Sequence, residues 1–295
     1  MKKTPRIAAP ALLSVAVVWG AAFVLMKPAI DQQPFYDFLA TRFTLATLAL
    51  IVARPKVLAE FNWDLIKRGI PLGVLLALGY ITQTIALEMT TAAITGFLTG
   101  LYVVLTPVLG YFLFRKKLDG RALIGVVLAT IGLALLSLNG LSVEIGQLWG
   151  IACALLFAAH IVALGAWSPG KNVYVLTVLQ LGTMAVINWI GAFANDGSYQ
   201  SPPNWDVWFA VIFTAIFATA IAFFVQTWAQ SIMDASRVAI ILTTEIVWAA
   251  VIAVAVGQEV LSLRTLLGGL IMLTAMFIVE WPRPGVLAPV PRLES

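Results

Sequence analysis

Apolar runs of about twenty residues follow one another along almost the whole chain, divided only by short polar breaks. A helix of that length rises about 30 Å, the thickness of bilayer hydrocarbon. The runs cover residues 8–30, 35–53, 69–88, 91–114, 119–138, 145–166, 172–194, 206–229, 235–257 and 262–281. Turn-forming residues stand between them: Lys27-Pro28, Gln33-Pro34, Arg54-Pro55, Asn139-Gly140, Ser168-Pro169-Gly170 and Ser201-Pro202-Pro203. Of the 295 residues, 61% are hydrophobic and 11% charged, where a soluble domain carries about 25% charge. So little charge cannot cover a water-facing surface. A soluble enzyme, a disordered scaffold and a secreted disulfide module are excluded, and the lone Cys153 can form no intrachain disulfide.

Basic residues orient the runs. With the N-terminus cytoplasmic, the inside segments hold Lys2, Lys3, Arg6, Arg54, Lys56, Lys67, Arg68, Arg115, Lys116, Lys117, Arg121, Lys171, Arg283 and Arg292. Outside segments and span ends hold Lys27, Arg42 and Arg264, with Asp31, Glu88, Glu144, Asp196 and Asp206 on the same side. The positive-inside rule then puts both termini in the cytoplasm and requires an even number of spans, which ten satisfies. The first run could also be a cleaved signal peptide, since Lys2, Lys3 and Arg6 precede it. Cleavage would leave nine spans and remove half of a repeat, so a retained span is preferred. The basic residues are scattered over several loops, an arrangement that reads topology and no nucleic-acid partner.

The two halves of the chain match. A shift of 138 lays Ala21-Ala22-Phe23-Val24 on Ala159-His160-Ile161-Val162 and Tyr36 on Tyr174; a shift of 143 lays Gln83-Thr84 on Gln226-Thr227 and Ala92 on Ala235. The second shift also pairs Leu118 with Leu261, Arg121 with Arg264 and Gly125 with Gly268. Five spans per copy is an odd number, so the second copy enters the bilayer upside down. The expectation is an all-α integral membrane protein: ten transmembrane helices as two inverted five-helix repeats, 1–140 and 141–295, around a central cavity. Two similar halves of opposite orientation give inward-open and outward-open states of similar energy, the arrangement of many secondary transporters.

Along the runs stand, in order, Val18-Trp19-Gly20-Ala21-Ala22-Phe23, Arg42-Phe43, Thr106-Pro107-Val108, Glu245-Ile246-Val247 and Gly257-Gln258-Glu259-Val260-Leu261 before Gly268. In these motifs and their spacing the chain resembles the EamA-type family of the drug/metabolite transporter superfamily. Two departures stand out. Lys116 occupies the first-repeat position of Glu259, and Ile246 stands where a proline often follows the glutamate. The resemblance implies a secondary exporter of small metabolites in a bacterial inner membrane, with amino-acid exporters, aromatic ones included, as the most similar members. It implies no cofactor.

Polar groups inside apolar runs are the candidate site residues, because a central Asp, Lys or Arg costs about 2.5–3.5 kcal/mol to insert. Glu245 lies mid-run, and the 143 shift sets it opposite Tyr102. It reads as a contact for a substrate ammonium or a protonatable coupling group; the plainer reading is a buried carboxyl bonded to Thr243, Thr244 or a neighbouring helix. His160, the single histidine, suits a proton relay, with packing as a neutral hydrogen-bond partner the favoured reading. Arg42 could hold a substrate carboxylate; pairing with Asp37 to lock the scaffold is favoured. Gln83 and Gln226 are repeat-related donors and acceptors for a zwitterion, or interhelical glue. Trp19, Tyr80, Tyr102, Phe97, Trp228 and Trp248 could line an apolar cavity for aliphatic or aromatic groups, with lipid-facing or core packing the plainer reading for any one of them. Gly96 and Gly100 make a small-residue face for close helix approach.

Gly165-Ala166-Trp167-Ser168-Pro169-Gly170-Lys171 superficially matches a phosphate-binding loop, but Asn172 replaces the required Ser or Thr. ATP-driven transport is therefore not expected. Substrate would bind in a central cavity lined by spans 1, 3, 4, 6, 8 and 9, which opens alternately to each face as the repeats rock, with protons as the candidate coupling ion. The alternatives are an intramembrane enzyme acting on a lipid-soluble substrate, or a transporter of other metabolites or organic cations.

Overall fold

The computed structural model describes residues 5–90, 92–115, 120–137, 145–257 and 263–280. Among them every regular element is helical. In chain order these are α1 (Pro5–Ile30), α2 (Phe35–Ala53), α3 (Trp63–Met89), α4 (Ala92–Gly100), α5 (Tyr102–Phe114), α6 (Gly120–Ser137) and α7 (Ile145–Trp167). They continue as α8 (Val173–Asp196), α9 (Trp205–Ala215), α10 (Ala222–Gln230), α11 (Ala235–Thr243), α12 (Glu245–Ala255) and α13 (Leu263–Glu280). A 3-10 helix, Pro55–Glu60, follows α2, and a π-helical turn, Ile216–Ile221, joins α9 to α10. Lys116, Gln258, Glu259, Val260 and Leu261 of the resemblance lie outside the described residues, as do Lys2, Lys3 and the chain beyond 280.

Among the described residues seven stretches are long and apolar enough to cross a membrane: Ile7–Ile30, Phe35–Ala53, Trp63–Met89, Ile145–Trp167, Val173–Ala194, Trp205–Gln230 and Ala235–Ala255. Shorter apolar helices cover Leu98–Leu113, Leu123–Gly132 and Leu266–Ala275. This is a multi-pass membrane protein. Its outward faces fit that medium: Leu48, Val52, Phe112, Ile190, Phe193 and Phe217 are all exposed, where water would make such a surface an aggregation hazard.

Helix starts follow local capping chemistry. Asn62, Asn172, Asn204 and Asp234 each precede a helix and accept a hydrogen bond from a first-turn backbone N–H. Asn172 also donates to Glu60 Oε2 at 2.6 Å, and Lys171 pairs with Asp64 at 2.9 Å. The loop that superficially matched a phosphate cradle is thus a tie between α3, α8 and the 3-10 helix.

Two interruptions fall inside apolar runs. α4 gives way to α5 at Leu101 (φ −59°, ψ −13°), and α11 to α12 at Thr244 (φ −63°, ψ −10°). In both, the backbone N–H reaches three residues back, from Leu101 to Leu98 and from Thr244 to Ile241, at 3.2 Å. The two tight turns lie 143 positions apart, the same offset that aligns the sequence. Packing is paired in the same sense. α2 packs on α8 and α6 on α13; α1 packs on α12 as α7 does on α4 and α5; α3 meets α7 and α8 as α9 and the π turn meet α1 and α2.

Close approaches sit at particular glycines. A Cβ on Gly20 would come within 2.6 Å of Ala249 N and 2.8 Å of Glu245 O, so α1 lies directly on the start of α12. A Cβ on Gly132 would come within 2.7 Å of Gly268 O between α6 and α13. At Gly96 a Cβ would meet nothing within 4 Å, so the expected close approach there does not occur.

Candidate functional site

Buried polar side chains on several helices converge on one internal cavity of about 60 Å³. Its walls come from α1 (Trp19, Ala22, Phe23, Met26), α2 (Arg42), α3 (Leu76, Tyr80, Gln83), α5 (Tyr102), α7 (Phe157, His160, Ile161), α10 (Phe223, Gln226), α11 (Leu242) and α12 (Glu245). A single water needs about 10–15 Å³ of such space. The cavity therefore has room for a few waters and must widen to take an aromatic amino acid.

Glu245 begins α12 just after the turn at Thr244 and is 5% exposed. The Tyr102 hydroxyl donates toward its Oε1 at 3.5 Å. Thr243 and Thr244, considered above as its partners, donate instead to the carbonyls of Ala239 and Ile241. Tyr102 and Glu245 lie 143 positions apart, the offset that aligns the two halves of the sequence.

Other walls are paired the same way. The 138 shift relates Trp19 to Phe157, Ala22 to His160 and Phe23 to Ile161; the 143 shift relates Tyr80 to Phe223 and Gln83 to Gln226. All ten face the cavity. Their ring contacts repeat as well: Trp19 meets Phe223 at 5.6 Å between centroids, and the equivalent pair, Phe157 and Tyr80, meets at 5.4 Å. Tyr80 and Phe223 close the chain of rings at 6.2 Å.

The amides differ in their bonding. Gln83 donates to Thr99 Oγ1 at 3.3 Å, whereas Gln226 donates to Gln230 Oε1 at 3.0 Å and leaves its own buried Oε1 without a partner. Gln230 in turn donates to Ile161 O. His160 Nε2 lies 2.8 Å from Gln180 Oε1. Gln180 spends its Nε2 on Leu176 O and Thr227 Oγ1, so its oxygen accepts and the His160 proton is assigned to Nε2. His160 is thus held in a hydrogen-bonded network at the cavity wall.

The expected Arg42–Asp37 ion pair does not form among the described residues. Five helical positions set the two side chains about 140° apart around α2. Asp37 accepts from Gln200 N at 2.8 Å, whereas Arg42 turns inward. Its Nε donates to Thr219 Oγ1 at 2.8 Å, its Nη1 to Met26 Sδ at 3.0 Å, and the Phe43 and Tyr80 rings lie 5.5 and 5.2 Å from its guanidinium carbon.

Trp248 is the other departure. It does not line the cavity, because the α1 backbone at Gly20 packs against its Cβ, and its buried Nε1 has no partner. Phe157, Phe223, Met26 and Leu242 line the cavity unforeseen. A repeat offset applied to Trp19 and Tyr80 would have found the first two. The π turn escaped the sequence altogether; it presents Ala218 O to Trp19 Nε1 at 2.8 Å and Thr219 to Arg42. Among the described residues no group of three His, Cys, Asp or Glu could hold a metal ion.

Comparison with known proteins decides the family. The model of the EamA-like transporter family matches residues 6–138 and again 144–281. The chain belongs to the EamA-like transporter family. Within the drug/metabolite transporter superfamily, it is 34% identical to an uncharacterized transporter of Archaeoglobus fulgidus over 270 residues, 91% of this chain and 84% of the relative. It is 32% identical over 160 residues to a protein of Escherichia coli named a probable amino-acid metabolite efflux pump, covering 50% of this chain and 49% of that one. A crystal structure of a protein at 17% identity superposes with a TM-score of 0.79 over 93% of this chain and 96% of its own, a likeness of fold alone. This EamA-like chain is a transporter.

Proposed function

We propose that this EamA-like protein is a secondary exporter of amino acids with apolar or aromatic side chains. Ten spans form two inverted five-helix repeats, 1–140 and 141–295, with both termini in the cytoplasm of a bacterial inner membrane. The carrying observation is the cavity wall built from equivalent residues of the two halves, with Tyr102 and Glu245 meeting across it at 3.5 Å. In two inverted repeats a residue touches its own counterpart only near the axis that relates them, and a site there is reachable from either face by rocking one repeat against the other. The name of the Escherichia coli relative supports the substrate class, and the rings of Trp19, Tyr80, Phe157 and Phe223 suit an apolar side chain.

Glu245 takes the substrate ammonium or carries the coupling proton, with Tyr102 as its neighbour. Gln83 and Gln226 offer neutral polar groups, and the unpaired Gln226 Oε1 is an acceptor awaiting a donor. His160 is the second candidate for proton coupling. Trp248 supports α1 from behind the cavity.

Counterflow of labelled L-phenylalanine into sealed liposomes, with and without a pH gradient, tests this reading. Wild-type protein should give saturable counterflow, and Glu245→Gln should abolish it or make it indifferent to the gradient while the protein still folds. Wild-type behaviour in Glu245→Gln would overturn the role of this carboxyl.

A further inference from the structure

Among the described residues Arg42 is a deeply buried charge for which the fold supplies no counter-ion. It is 1% exposed, the largest of the fully buried side chains, and borders the cavity. Its neighbours are Thr219 Oγ1, Met26 Sδ, the Phe43 ring, and the ring and hydroxyl of Tyr80. Each is neutral at pH 7, and no carboxylate among the described residues contacts the guanidinium. A buried cation without a counter-ion is costly, and a guanidinium stays charged in proteins. Cation–π contacts offset only part of that cost.

A scaffold role would need the partner that Asp37 does not supply, since Asp37 serves Gln200 N at the start of α2. Nor is the charge required by the repeat. The equivalent position in the second half is Gln180, neutral and bonded to His160. The first half alone brings a cation to the cavity, and the second half alone brings a carboxyl, Glu245.

We propose that Arg42 is the carboxylate-binding residue of the cavity, so that the site selects molecules carrying a carboxylate and an ammonium group about one apolar side chain. This rests on the reading of the cavity as the transport site. The substrate carboxylate completes the donor set of Arg42 and neutralises it; the ammonium faces Glu245. The π turn is part of the device, because Thr219 holds the guanidinium by its Nε, and a ligand carboxylate would take Nη2 and displace the weak Met26 Sδ acceptor from Nη1.

Ligand-induced thermal stabilisation of the purified full-length protein tests this with three probes. L-phenylalanine carries both charges, phenylacetate only the carboxylate, and phenethylamine only the ammonium. Phenylacetate should stabilise the wild type and Arg42→Lys and bind Arg42→Gln about ten- to a hundredfold more weakly, the range for losing a charge-assisted hydrogen bond. Phenethylamine binding should be unchanged in Arg42→Gln and weakened in Glu245→Gln. Should the Arg42 variants fail to fold, the wild type still decides: phenylalaninamide, lacking the carboxylate, should bind at least about tenfold more weakly than phenylalanine. Equal affinity for these two, equal phenylacetate affinity in wild type and Arg42→Gln, or no carboxylate-dependent binding in the wild type would overturn the assignment. Carboxylate binding through Arg42 without phenylalanine flux in liposomes would instead refute amino-acid export and leave Arg42 standing. Phenylalanine counterflow with an unchanged KM in Arg42→Gln would do the reverse.

Discussion

His160 and Gln180, both buried, are held to each other at 2.8 Å. Replacing His160 with Ala strands Gln180 Oε1, and an unsatisfied buried acceptor costs about 1–3 kcal/mol. His160→Ala should lower the melting temperature in detergent, and His160→Gln should recover most of the loss; equal melting of wild type and His160→Ala would contradict the network. At this scale the sequence was readable where a residue was the wrong kind for its surroundings. Glu245, His160, Gln83 and Gln226 stand out because hydrocarbon makes an unpaired polar group expensive, so each had to face inward. Phe157 and Phe223 carry no such signal, since an aromatic ring is equally at home against lipid, core or ligand. Arg42 and Asp37 are near in sequence, but the turn of the helix between them separates their side chains.

Gly20 fixes the distance between α1 and α12 at the level of Glu245. Gly20→Ala puts a methyl where backbone atoms already stand, and overpacking of this kind costs about 1–3 kcal/mol. The variant should melt lower and lose transport more than stability alone explains, because the start of α12 is displaced; unaltered melting and flux would contradict the close contact. The π turn invites a second test. Deleting Phe217, whose side chain is half exposed at 49%, removes the extra residue of the wide turn and should restore α-helical register. Ala218 O and Thr219 would then turn away from Trp19 and Arg42, so phenylalanine counterflow should fall steeply while the purified protein remains helical by circular dichroism. Helix positions were legible because apolar length and Asn or Pro at the breaks are local signals. The turns at Leu101 and Thr244 were not. Each arises from a shift of only a few tens of degrees in ψ; Gly100 precedes the first, but it lies in a run with other small residues, and neither glycine nor proline adjoins the second.

Across the whole molecule, equivalent helices pack on each other and equivalent side chains face one cavity. The sequence carried the repeat in scattered identities, too few to say which faces meet; the wall of paired residues supplies that relation. Symmetry is incomplete where chemistry needs it to be. The π turn and Arg42 have no counterparts in the opposite half, whose equivalents are regular α3 and neutral Gln180, so the two halves give the cavity chemically different walls. The central claim is that this cavity opens to each side of the membrane in turn. Ala22 lines it with a small, buried side chain, and Cys153, buried and unpaired, can be replaced by Ser to leave a silent background. The decisive measurement is modification of Ala22→Cys by a membrane-impermeant thiol reagent, in intact cells and in inverted membrane vesicles. The account predicts modification from both sides, with phenylalanine slowing each; modification from one side alone, or from neither, would contradict alternating access to this site.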